Sequence, residues 1–189
     1  MKTRVRPTPL NPVDIWHTEH MYFARLLNLL QREVEVFESG ERPNYELMLD
    51  ILTYLRTYSD RFHHPREDVA FERLGQRCPD LEVVLARLRQ EHRVIANAGE
   101  RLLGNLTAIL EDTIVPRPEV EAAAATYLVY YRHHIATEEQ DVLTRAEDVL
   151  TPEDWDAVTA AVPLEPDPLF GGSPEDHYRD LRRHIALDS

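Results

Sequence analysis

The chain has 189 residues, of which 43% are hydrophobic and 29% charged, and its formal net charge is −13 at pH 7. This length and composition predict one globular domain with a substantial core and argue against a disordered chain. The acidic excess disfavours nucleic acid and anionic membrane surfaces as partners, since both bind basic faces. A single cysteine, with no signal-peptide pattern and no apolar run long enough to span a membrane, leads us to expect a cytoplasmic protein.

The first long helix is predicted over residues 13–38, after an N-terminal arm, 1–12, that carries three prolines. Its apolar residues recur at alternating spacings of four and three, which is typical of a helix in a bundle. His20 takes a position in this pattern that would otherwise hold an aliphatic residue. Gly40 follows the helix at the kind of C-terminal position that glycine favours.

The second helix is predicted over 44–74, and the phase of its apolar stripe slips by about one residue around Pro65. We attribute the slip to the proline, which removes a backbone donor and kinks a helix. Glu67 follows His63 by four residues, so the imidazole and the carboxylate share one helix face. His64, next to His63, is a candidate for an additional ligand or for a contact behind the ligands.

The third and fourth helices are predicted over 80–111 and 119–150. His92 lies at an inward position of the third helix, again in place of an aliphatic residue. In the fourth helix Glu138 follows His134 by four residues, which repeats the spacing seen in the second helix. Every long helix therefore places at least one imidazole or carboxylate on its inward face.

Residues 151–189 are predicted to form a C-terminal extension with two short helices. Thr151 reads as the N-cap of the first, with a proline and acidic residues in its first turn. The second is predicted from Ser173 to about Ala186. The extension either covers the bundle or pairs with a second subunit, and we favour a homodimer.

Short connections make consecutive long helices antiparallel. The predicted fold is therefore all-α, an up-down-up-down four-helix bundle over 13–150 with the extension packed on it. At about 1.5 Å per residue, the inward polar residues fall within a slab about 14 Å thick. They are His20, His63, Glu67, His92, His134 and Glu138.

Six buried polar groups in one layer point to metal ions. A buried carboxylate without a partner costs several kcal/mol, and six such groups would exceed a net stability of about 5–15 kcal/mol. A lone buried histidine, or a single His-x-x-x-Glu pair, is often structural; the combination on four helices predicts a dinuclear site. The imidazoles would be terminal ligands and each glutamate would bridge both ions. Iron, manganese and zinc all suit such donors.

Three further residues are candidates for contacts around this site. His17 lies one helical turn before His20, where it either supports the ligands or faces solvent. Tyr127 and Tyr131 lie on the inward face of the fourth helix. They either line a ligand pocket or pack in the core with their hydroxyl groups at a polar edge.

Several segments resemble the hemerythrin-type HHE cation-binding domain, and the resemblance covers nearly the whole chain from about residue 10. They are EH at 19–20, FHHPREDVAFERL at 62–74, EH at 91–92 and HHIATEE at 133–139. The dipeptide DW at 154–155 and the segment DPLF at 167–170 resemble the bacterial branch of that family.

The resemblance implies a non-heme, oxygen-reactive diiron centre with His20, His63, His92 and His134 as terminal ligands. Glu67 and Glu138 would be the bridges. Oxygen-carrying hemerythrins have a second histidine one turn after the helix-three ligand, where this chain has Ala96. They also have an aspartate five residues after the helix-four histidine, where this chain has a glutamate after four. These departures favour a site with more open positions than a dedicated oxygen carrier has.

Three functions follow from this interpretation. The first is a metal protein that binds or senses oxygen or nitric oxide at an iron pair. The second is a diiron enzyme, in peroxide breakdown or in the repair of iron–sulfur centres. The third is a structural module that holds zinc or another metal. No acid–base pair beyond the ligands stands out in the sequence, which disfavours a dedicated catalyst.

Overall fold

The computed structural model describes residues 12–172 and 176–187, and this part of the chain contains helices and no strands. The α-helices are α1 (Pro12–Glu38), α2 (Tyr45–Tyr54), α3 (His64–Arg77), α4 (Glu82–Leu110), α5 (Arg117–Thr137), α6 (Leu143–Val149), α7 (Pro152–Ala161) and α8 (Arg179–Leu187). The predicted arm, apart from Pro12, and the predicted cap Ser173 lie outside the described residues. None of the described helices is long and apolar enough to cross a membrane.

Four long helices form the bundle, and the predicted all-α bundle fold is confirmed. The first is α1, the second runs through α2 and α3, the third is α4, and the fourth runs through α5 and α6. Gly40 leaves the first helix with a φ of +87°, a conformation that glycine adopts without strain. The Asn44 side chain accepts a hydrogen bond from the Leu47 N–H and caps the second helix.

The second and fourth bundle helices each contain a π-helical segment, Leu55–His63 and Glu138–Val142. At the end of the first segment, the backbone N–H of His64 donates to the carbonyl of Ser59, five residues earlier. At the end of the second, the backbone N–H of Leu143 donates to the backbone carbonyl of Glu138, also five residues earlier. A π turn holds an extra residue, so it shifts the inward face by about one position. The attribution of the phase slip to Pro65 alone was wrong, because the wide segment begins ten residues before it.

A polar layer separates two apolar clusters inside the bundle. In α1, His20 lies between Trp16 of one cluster and Phe23 of the other. In α4, His92 lies in the same way between Leu88 and Ile95. The remaining predicted ligands occupy the same level on the other two helices, so the core is apolar above and below one polar layer.

The extension packs on the bundle of its own chain. Asp154 of α7 pairs with Arg73 and Arg77 of α3, at 3.1 and 2.7 Å. Phe170, between α7 and α8, stacks on Tyr22 of α1 with ring centroids 3.9 Å apart. Among the described residues the extension therefore covers the bundle, and the homodimer remains a prediction.

Candidate metal centre

The six predicted ligands lie together in the polar layer, and each is at most 6% exposed. The Nε2 atoms of His20 and His63, the first histidine pair, are 3.1 Å apart. Those of His92 and His134, the second histidine pair, are 2.9 Å apart. The two pairs come from neighbouring helices, the first and second for one pair and the third and fourth for the other.

Each buried glutamate directs one oxygen to each histidine pair. Glu67 Oε1 lies 2.9 Å from His63 Nε2, and its Oε2 lies 3.5 Å from His92 Nε2. Glu138 Oε2 lies 3.3 Å from His20 Nε2, and its Oε1 lies 3.0 Å from His134 Nε2. None of these four oxygens has a hydrogen bond of acceptable geometry among the described residues.

This arrangement fits two metal ions. Two ligand atoms about 2.1 Å from one ion and at right angles are about 3.0 Å apart, close to the observed spacings. Fully buried carboxylate oxygens without hydrogen-bond partners are unstable unless a cation compensates them. His20, His63 and Glu67 form one cluster that could hold an ion, and Glu67 also belongs to a second, with His64 and the second histidine pair.

A ring of four acidic residues surrounds the ligands. Each bundle helix supplies one carboxylate to the Nδ1 atom of a ligand histidine on the next helix, and the fourth helix returns to the first. The contacts are Glu19 to His63 at 2.6 Å, Asp68 to His92 at 2.9 Å, Glu91 to His134 at 3.3 Å and Glu139 to His20 at 2.7 Å. A carboxylate on Nδ1 fixes the proton there, so that Nε2 is free to bind a metal.

The carboxylates also control the protonation of the imidazoles. Burial lowers the pKa of His20, but the neighbouring carboxylates of Glu138, Glu139 and Glu67 outweigh it and raise that pKa well above its usual value. Burial likewise opposes the charge of Glu67, yet the surrounding imidazoles hold its pKa well below the usual value. Without metal, protons therefore occupy this layer, and a metal ion that binds Nε2 must displace them.

Glu19 is itself held by two further buried groups. Arg66 Nη2 donates to Glu19 Oε1 at 2.8 Å, and the Tyr58 hydroxyl donates to the same oxygen at 2.7 Å. Burial raises the pKa of Glu19, but His63 and Arg66 outweigh this and lower it. The position of His63 thus depends on a buried charge pair and a buried phenol.

His64 lies beside the second histidine pair, and its ring stacks on that of His92 with centroids 4.3 Å apart. Its Nε2 is 3.2 Å from Ser59 Oγ, and its Nδ1 is 3.4 Å from Asp60 Oδ1. Burial and the neighbouring histidines keep the pKa of His64 well below its usual value, so this imidazole is neutral. Burial raises the pKa of Asp60 to about 6.

The other three candidates lie outside the ligand layer. His17 Nδ1 is 2.9 Å from Glu139 Oε2, so it contacts the carboxylate that supports His20. The Tyr131 hydroxyl is hydrogen-bonded to Ser59 Oγ, which links it to His64.

Tyr127 packs against Gly99, where an added Cβ would lie 2.8 Å from the ring. The close approach therefore needs glycine at that position. The Tyr127 hydroxyl is buried and has no hydrogen-bond partner among the described residues.

The acidic ring was not predicted from the sequence, although all four of its residues lie within the family motifs. A signal was present: every ligand motif carries an acid directly beside a ligand. Glu19 and Glu91 precede a ligand histidine, and Asp68 and Glu139 follow a ligand glutamate. Ser59, Asp60 and Arg66 gave no comparable signal, because a polar residue in a helix has no fixed partner in the sequence.

Fold and site together define a class: a metal-binding four-helix bundle in which two glutamates connect two histidine pairs. A family model described as the hemerythrin HHE cation binding domain matches residues 11–146. The chain therefore belongs to the hemerythrin HHE cation-binding family, and the resemblance noted in the motifs is confirmed. A comparison with curated proteins gave no match.

Proposed function

We propose that the protein holds two iron ions, bridged by Glu67 and Glu138, and that this centre binds or senses oxygen or nitric oxide. One observation carries the proposal: both buried carboxylates divide their oxygens between the two histidine pairs, and none of the four oxygens has a hydrogen bond within the described part of the chain. A single ion, or a purely structural hydrogen-bond network, would not need this division. Mixed imidazole and carboxylate donors suit iron.

The surroundings support binding of a small diatomic ligand. A reduced iron pair supplies an open coordination position for oxygen or nitric oxide. An ion at either histidine pair would have four protein ligands: two imidazole nitrogens and one oxygen from each of the two glutamates. A six-coordinate ion would therefore keep positions free for a small ligand. The apolar clusters on both sides of the layer exclude bulk water, and His64 offers a neutral imidazole beside the second histidine pair.

The test combines metal analysis with reversible spectral cycling. We expect protein produced with ample iron to contain about two iron ions per chain. After anaerobic reduction, oxygen or nitric oxide should change the visible spectrum, and its removal should restore the reduced spectrum. Glu138→Gln should abolish the cycle, whereas Glu153→Gln, at an exposed position of α7, should preserve it. One-way oxidation, or zinc in place of iron, would contradict the proposal.

Peroxide breakdown is a second candidate, favoured by the contact between His64 and Asp60 beside the second histidine pair. The two groups have pKa values displaced in opposite directions, which is typical of residues that transfer protons. If the protein is such an enzyme, His64→Leu should slow the loss of added hydrogen peroxide at unchanged iron content. Equal rates in both proteins would remove the support for this candidate.

A further inference from the structure

A small cavity lies between α1, α3 and α7, outside the metal layer, and its volume is about 110 Å³. Its lining includes Trp16, Arg66, Trp155, Val158, Thr159 and Leu164. The walls are mainly apolar, and the guanidinium of Arg66 is their one charged group. Nothing in the ligand layer requires this cavity.

Arg66 is only 2% exposed, yet part of its guanidinium has no partner. Nε donates to the carbonyl of Phe62 at 3.0 Å, and Nη2 donates to both oxygens of Glu19 at 2.8 and 3.0 Å. Nη1 makes no hydrogen bond or ion pair with a described residue. It is also not among the fully enclosed polar atoms of the described residues, so Nη1 keeps some accessible surface, and Arg66 lines the cavity.

The two indole rings give the cavity an aromatic wall. Trp16 and Trp155 meet edge to face, with centroids 5.4 Å apart and an angle of 67° between the rings. Neither indole N–H has a hydrogen-bond partner among the described residues. The described lining therefore combines apolar surface with the donors of Arg66 and the two indoles, and it contains no carboxylate.

We propose that this cavity binds a small aromatic monocarboxylate. The ring would lie against the indoles, and the carboxylate would accept hydrogen bonds from Arg66 Nη1, since guanidinium and carboxylate form strong charge-assisted hydrogen bonds. Glu19 occupies the Nη2 side of the guanidinium and leaves the Nη1 side for the ligand. A cavity of about 110 Å³ accommodates one aromatic ring.

The site is also adjacent to the metal layer. Arg66 contacts Glu19, and Glu19 contacts Nδ1 of His63, so two hydrogen bonds separate the cavity from a ligand histidine. The binding proposal does not depend on which metal occupies the layer, because the groups that contact the carboxylate are not ligands.

Intrinsic fluorescence tests the proposal directly, because the chain contains two tryptophans and both line this cavity. The full-length protein, with its metal content measured alongside, is titrated with benzoate and separately with benzyl alcohol. We expect a saturable change in tryptophan emission with benzoate, and about tenfold weaker binding of benzyl alcohol, which has the ring without the charge. No saturable change with benzoate, or equal affinity for both compounds, would overturn the proposal.

Two variants separate the cavity from nonspecific quenching. Thr159→Phe places a ring at the rim without removing a contact of Arg66, and it should weaken benzoate binding at least about tenfold. Ala160→Phe adds the same ring at the adjacent exposed position, which does not line the cavity, and it should bind benzoate normally. Unchanged binding in Thr159→Phe would overturn the assignment. Since metal content is a separate readout, failure here leaves the metal proposal unaffected.

Discussion

The two histidine pairs use the same ligand atoms but have different supports. His63, in the first histidine pair, is held by Glu19, whose partners Arg66 and Tyr58 are 2% and 4% exposed. In the second, His134 is held by Glu91, whose partners Arg87 and His133 have side chains 51% and 55% exposed.

The difference suggests a division of roles within one centre. A carboxylate fixed by buried partners cannot move without breaking strong hydrogen bonds, so His63 is held rigidly, whereas His20 of the same pair is supported by Glu139, whose side chain is 29% exposed. Neither support of the second pair is fixed by buried partners, because Glu91 contacts exposed side chains and the Asp68 side chain is itself 44% exposed. A neutral imidazole, His64, also lies beside the second pair. We therefore expect oxygen or nitric oxide to bind at the second pair, and we expect the geometry of the first pair to stay the same.

The largest effect is expected at Glu67, which, like Glu138, directs an oxygen to each histidine pair. Glu67→Gln removes the negative charge and leaves an amide nitrogen where an oxygen should bind one of the ions. Both pairs should lose metal, and metal analysis should find less than about one ion per chain. Glu72→Gln, an exposed position on the same helix, should keep the full content. Full metal content in Glu67→Gln would show that the carboxylate is not a shared ligand.

The second prediction concerns pH in the metal-free protein. Burial lowers the pKa of His134, but the adjacent carboxylates of Glu138 and Glu91 outweigh it and raise the pKa from 6.5 to about 9. A raised pKa stabilises the fold below pH 6.5, and this stabilisation is lost as the pH rises to about 9. The loss should be on the order of 3 kcal/mol.

Chemical denaturation of chelator-treated protein at pH 6 and pH 9 measures this loss. His134→Gln should remove the His134 share of this dependence and leave the share of the other raised imidazoles, such as His20, whereas His133→Gln, with an exposed ring on the same helix, should keep all of it. Metal affinity should follow the opposite trend to the stability of the metal-free protein. Metal binding releases protons, so the affinity rises as the pH rises. Equal stability of the metal-free protein at both pH values would contradict the electrostatic description of the layer.

The third prediction compares Glu19 and Glu91, the carboxylates that contact Nδ1 of His63 and of His134. Glu19→Gln should lower metal affinity about 10–100-fold, as is typical when a carboxylate behind a ligand histidine is removed. Glu91→Gln should lower it less, since its contact to His134 is longer, at 3.3 Å against 2.6 Å for Glu19 and His63. Competition with a chelator measures both affinities. Equal losses in the two variants would remove the distinction between the pairs.

The smallest effect is expected from Tyr58→Phe. It removes one hydrogen bond to Glu19 and leaves the one from Arg66, so unfolding free energy should fall by about 1 kcal/mol. Tyr130→Phe, at a position 41% exposed, serves as the matched control and should be neutral. A Tyr58→Phe protein as stable as the control would show that Glu19 does not depend on the phenol.

The sequence predicted the elements that depend on periodicity. Apolar spacing identified the four long helices, and the interruption of that spacing by His20 and His92 indicated inward polar positions. The four-residue interval from His63 to Glu67, and from His134 to Glu138, placed both carboxylates in the same layer as the histidines.

Contacts between helices were less accessible from the sequence. Glu139 meets His20 across 119 positions, and only the packing of the bundle brings them together. The π-helical segment of the second bundle helix left a trace as a phase slip, which the sequence analysis attributed to a proline, and that of the fourth bundle helix was not predicted. The contact between Ser59 and His64, five residues apart, depends on the π-helical segment, and the ordinary helical period does not encode it.

Mössbauer spectroscopy of iron-loaded protein, with iron counted per chain, tests the central claim most directly. The account predicts about two iron ions per chain that are magnetically coupled, since Glu67 and Glu138 connect them. One iron per chain, or two ions without coupling, would contradict a centre in which both glutamates are shared.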